Sequence, residues 1–74
     1  MSRERKKMYI YANLRIEREA HSLKQGEVAN ILKITQQQYQ LYESGKREMP
    51  MHLFITLAKF YGVTLDELVG MDEL

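Results

Sequence analysis

The sequence predicts an all-α fold, with five short helices in a single domain over residues 1–74. Three observations point to it. Seventy-four residues is the length of one domain. The chain has one proline and four glycines, and no stretch alternates apolar and polar residues for long enough to read as a strand. Apolar residues recur instead at helical spacing, and Ser/Thr–x–x–Glu/Gln pairs mark helix starts.

The first helix is predicted over Lys7–His21, where Ile10, Leu14 and Arg18 share one face at i, i+4 and i+8. Arg3, Arg5, Lys6 and Lys7 make residues 1–7 a basic N-terminal arm, unless the helix starts at Ser2 and uses its hydroxyl as a cap. The second helix covers Gln25–Leu32, with Val28, Ala29 and Leu32 facing inward. Its start is open at this level. Ser22 with Gln25 fits a capping box, whereas a start after Lys24 leaves the cap without a side-chain acceptor. Lys33–Ile34–Thr35 forms a break. Thr35 caps the third helix, and Gln38 completes its box. That helix covers about residues 36–44, and Gly45 suits a left-handed end.

Pro50 stands where the first turn of the fourth helix tolerates it. Leu53, Phe54, Leu57, Ala58 and Tyr61 form that helix's buried face, closed by Gly62. Thr64 and Glu67 box the start of a fifth helix, which runs through Val69 to Gly70. Residues 71–74 are a tail. The predicted core is Leu14, Val28, Leu32, Ile34, Tyr39, Tyr42, Leu53, Phe54, Leu57, Tyr61, Leu65 and Leu68.

Composition narrows the function. At 45% hydrophobic and 28% charged residues, the chain is of the soluble globular class. There are no cysteines, which excludes disulfides and thiolate metal sites. His21 and His52 do not make a metal cluster. No apolar run reaches the roughly 18 residues of a membrane helix, and no cleavage site follows the basic N-terminus, so an intracellular, cytoplasmic location is expected. Residues 1–50 carry ten Lys/Arg against six Asp/Glu, while residues 51–74 carry Lys59 against Asp66, Glu67, Asp72 and Glu73. One end therefore attracts polyanions and the other does not. Catalysis is not expected. Glu17, Glu19 and His21 have no nucleophile to serve, and a domain this small has little room for a cavity of about 300 Å³ or more.

The informative stretch is LKQGEVANILKITQQQYQLYESGKREMP, residues 23–50. On the third helix Tyr39 and Tyr42 point one way, and Gln36, Gln37, Gln40 and Leu41 point the other. That second face carries no charge. A glutamine amide donates and accepts at once, so it can pair with adenine N6 and N7 in the major groove, and Leu41 can lie against a thymine methyl. Lys46 and Arg47 follow at once and suit phosphate contact. The competing reading is a solvated face, since glutamine is a good helix former.

The flanking residues favour the first reading. Leu23, Gln25, Ala29, Leu32, Ile34, Thr35, Glu43, Gly45, Lys46, Arg47 and Pro50 together resemble the helix-turn-helix of the phage lambda Cro and repressor family, also called the XRE family. The later LAKFYGVTLDELVG resembles the family's fourth and fifth helices, so the likeness covers Leu14 to Gly70. TQQ at Thr35–Gln37 is similar to the opening of the recognition helix in some lambdoid repressors.

The resemblance implies a lambda-repressor-like domain of bacterial or phage origin that binds double-stranded DNA, without cofactor or small-molecule ligand. Gln36, Gln37, Gln40 and Leu41 would face base edges. Gln25, Lys33, Lys46 and Arg47 would meet phosphates, with Gln25 also bracing Gln36. Arg18 and Glu43 stand where family members place an ion pair between helices one and three. There are departures. Lys33 replaces the usual glycine of the break, so a left-handed backbone there would cost about 1 kcal/mol. Lys24 replaces a Ser or Thr. Glu17 replaces an aliphatic residue: either helix one is rotated slightly, with Ile16 or Ala20 filling in, or Glu17 is exposed.

A single recognition helix reads few base pairs. A homodimeric repressor on a palindrome, with half-sites about 10 bp apart, is therefore expected. Val69, Met71 and Leu74 are candidate dimer residues. The alternative is an antitoxin-type module that neutralises a partner protein.

Overall fold

In the computed structural model, which describes residues 11–70, five helices follow one another: α1 (Ala12–Ala20), α2 (Gln25–Leu32), α3 (Gln36–Glu43), α4 (Met51–Tyr61) and α5 (Leu65–Val69). α2 and α3 form the helix-turn-helix pair. α5 bridges α1 and α4 on the far side. Leu14, Val28, Tyr39, Leu57 and Leu68 are fully buried at the centre, joined by Leu32, Tyr42, Met49, Leu53, Phe54 and Tyr61. Met49, which lies between α3 and α4 in the chain, is 2% exposed and belongs to the core.

Local signals set most helix starts. The Thr35 hydroxyl accepts from Gln38 N at 3.0 Å, and the Gln38 amide accepts from Thr35 N at 3.1 Å. Thr64 and Glu67 repeat this box at α5, at 3.1 and 2.9 Å. Each box satisfies two helix-end N–H groups that otherwise lack partners.

The structure decides the open start of α2 and corrects three expectations. α2 is capped at Lys24 and not through a Ser22–Gln25 box, because Ser22 adopts a left-handed backbone with φ 57°. Glu27 supplies half a box, accepting from Lys24 N at 2.7 Å, and its charge suits the positive helix end. α1 begins at Ala12 and not Lys7, because Tyr11 is non-helical and packs edge-on against Phe54, ring centroids 5.0 Å apart. A start at Ser2, the basic arm, Ile10, Met71 and Leu74 lie outside the described residues. Leu65 is 36% exposed and Ile34 half-buried. Leu65 opens the short α5 at the rim, and Leu68 takes the inward place. Neither Ile16 nor Ala20 replaces the missing aliphatic of α1: both are exposed, and Glu17 is half-buried.

Candidate nucleic-acid interface

α3 has two unlike sides. Tyr39 and Tyr42 are buried, whereas Gln36, Gln37 and Gln40 are exposed and Leu41 is half-buried beside them. The helix ends at Glu43, one residue earlier than predicted, and Gly45 follows with φ 82°. That left-handed turn folds the chain back, so the backbone N–H groups of Lys46 and Arg47 both reach Leu41 O, at 3.0 and 3.2 Å. The backbone of Lys46 and Arg47 is thereby tied to the last turn of α3, with both side chains exposed. Lys33 is also exposed, at the turn before α3.

The angle at which α3 presents this side is set from behind. Arg18 Nε lies 2.8 Å from Glu43 Oε2 and Arg18 Nη2 lies 3.1 Å from Oε1, a bidentate pair between α1 and α3. Gln25 Nε2 donates to Glu43 Oε1 at 2.8 Å, and the Tyr39 hydroxyl donates to Oε2 at 2.8 Å. Arg18 Nη1 donates to Leu23 O at 2.9 Å and so ties in the turn before α2. The side chains of Arg18 and Glu43 are only 13% and 5% exposed, so water screens this network little.

Burial pushes the Glu43 carboxyl up. The hydrogen bonds from Arg18, Gln25 and Tyr39 outweigh it and hold the group below the usual carboxylate range. Burial pushes the Tyr39 phenol far up, and donation to Glu43 adds to this. At neutral pH the centre is thus one carboxylate, one guanidinium and a neutral phenol.

Gln25 is therefore placed on Glu43. Gly26 lies close to Gln36: a Cβ there would come within 3.1 Å of Gln36 Oε1. Sequence reading passed over Gly26 and the Tyr39 hydroxyl. A glycine in the first turn of a helix is a usable signal, since glycine is a poor helix former.

A helix-turn-helix family model matches residues 14–68. The chain belongs to the XRE-type helix-turn-helix family. It is 41% identical over 61 residues to the cryptic phage CTXphi transcriptional repressor RstR of Vibrio cholerae, an alignment covering 82% of this chain and 52% of that protein. The crystal structure of a transcriptional regulator from Listeria innocua superposes with a TM-score of 0.77 at 30% identity, covering 85% of this chain and 60% of that one. This XRE-type chain thus spans about half the length of the curated relative it matches. The family is one of transcriptional regulators and not an enzyme class. Among the described residues, no helix is long and apolar enough to cross a membrane.

Proposed function

We propose that this chain reads operator DNA for a transcriptional repressor in the cytoplasm. One observation carries the reading: an uncharged, outward side of α3 bearing Gln36, Gln37 and Gln40 is flanked along the chain by the exposed cations Lys33, Lys46 and Arg47. Amides and Leu41 supply base discrimination in a major groove, and the flanking cations supply phosphate attraction. Gln25 spends one amide hydrogen on Glu43, which leaves the other for a phosphate. The resemblance to a phage repressor favours this over a partner-neutralising module.

The reading includes a two-fold dimer on a palindrome with half-sites about 10 bp apart, because one short helix reads too few bases to select a site in a genome. Val69, in α5 at the acidic end of the chain, is the described residue assigned to that contact.

Selection of bound fragments from random-sequence duplexes should enrich an inverted repeat. Binding to it should weaken steeply with salt. Arg47→Ala should weaken binding to all sequences evenly and flatten the salt slope. Gln36→Ala should lose discrimination at one base pair per half-site, costing about 1–3 kcal/mol there. Enrichment of no sequence would sink the reading.

A further inference from the structure

Gly45, Gly62 and Gly70 have positive φ, which accounts for their being glycine. The fourth glycine does not fit that explanation. Gly26 lies in the first turn of α2 with φ outside the left-handed region, where helix propensity favours alanine. What distinguishes the position is its neighbour. A Cβ on Gly26 would lie 3.1 Å from Gln36 Oε1 and 3.6 Å from Gln36 Cδ, and nothing else outside its chain neighbours and its own helix backbone comes within 4 Å.

We propose that Gly26 is a positioning residue for base reading: its missing side chain makes the seat on which the Gln36 carboxamide rests. The inference builds on the base contact proposed for Gln36. A free glutamine side chain must be ordered before it can pair with a base edge, and that ordering opposes binding. A carboxamide already resting on the α2 backbone has less freedom to lose. Gln36 opens α3, and Gly26 lies across the turn in α2, so the seat also links the two helices at the end nearest the bases. An alanine methyl would push the carboxamide off by a few tenths of an ångström or into another rotamer. Because the displaced group is the far end of a flexible chain, the fold itself loses nothing.

The test uses the full chain as wild type, Gly26→Ala, Gln36→Ala and the double variant. Gly26→Ser serves as a second substitution of the seat. The probe is the duplex recovered by random-sequence selection with the wild type, together with its single-base-pair variants. Gly26→Ala is expected to keep or raise the melting temperature, which a purely structural glycine would not allow. It should lower discrimination about fivefold or more at the base pair that Gln36→Ala affects, the low end of one bidentate contact. In the Gln36→Ala background it should add nothing. Nuclear Overhauser contacts between the Gln36 side-chain amide and the Gly26 α-protons should appear in the free chain.

Unchanged or sharper discrimination in both Gly26 variants, while Gln36→Ala loses it, would overturn the proposal and leave the base contact standing. So would an effect at a different base pair, one that persists without Gln36, or absence of the Overhauser contacts. If Gln36→Ala itself leaves base preference unchanged, the base contact fails first, and the proposal falls with it.

Discussion

Arg18 and Glu43, 25 residues apart, join α1 to α3 through two hydrogen bonds of 2.8 and 3.1 Å. Gln25 and Tyr39 occupy the same carboxylate from α2 and α3. Three helices therefore meet on one buried anion. The pair matters less as a source of stability than as a fixed point for the rotation of α3, since a buried ion pair gains little over apolar packing.

Removing one partner is a different matter. Glu43→Ala leaves a guanidinium, an amide and a phenol without their acceptor in a poorly hydrated place. We predict a loss of about 3 kcal/mol or more, and a melting temperature lowered by more than about 10 °C for a domain of this size. Thermal unfolding followed by circular dichroism measures this. A loss below about 1 kcal/mol would show that the network is dispensable.

The same carboxylate gives a pH signature. Against burial, its three hydrogen-bond donors hold Glu43 below its ordinary value of 4.5, so the unfolded chain binds the proton more tightly. The corresponding stability is complete above the unfolded-state value and is lost as pH falls through the folded-state one. Urea midpoints of the wild type should therefore fall more steeply below about pH 5 than those of Glu43→Gln. Parallel curves would remove Glu43 from the acid transition.

Lys33 closes α2 in a left-handed conformation, φ 60° and ψ 43°, which a side chain with a Cβ adopts at a cost. Lys33→Gly should raise stability by about 1 kcal/mol, somewhat less after the added freedom of the unfolded chain. It also removes a cation from the proposed DNA side, so the log–log salt slope of binding should fall by about 0.9 per half-site. Stability and affinity then move in opposite directions. Denaturant titration and salt-dependent binding check the two halves separately, and an unchanged slope would exclude Lys33 from phosphate contact.

Tyr61 packs against His21, ring centroids 4.7 Å apart, and its buried hydroxyl has no hydrogen-bond partner among the described residues. Burial is the first cause that pushes this phenol up to about 12, so it is neutral under ordinary conditions. Tyr61→Phe deletes an unsatisfied polar atom and keeps the ring. Stability should stay level or rise by up to about 1 kcal/mol, read from the urea midpoint. A clear loss would mean that the hydroxyl is engaged in solution.

Much of this protein is legible along the chain because its signals are short-ranged. Thr35 with Gln38, and Thr64 with Glu67, carry both halves of a box three residues apart, so each helix start is written locally. The two-sided character of α3 follows from 3.6-residue periodicity in the same way. Folding in space settled what depends on distant partners. Tyr11 leaves the helical path for the Phe54 ring, and Ser22 turns left-handed, so the cap falls to Lys24. Gln25 turns to Glu43, and Gly26 receives Gln36. Spacing along a chain specifies which side of a helix a residue occupies. It does not specify which side chain from another helix arrives there, because that depends on the angles at which the helices pack.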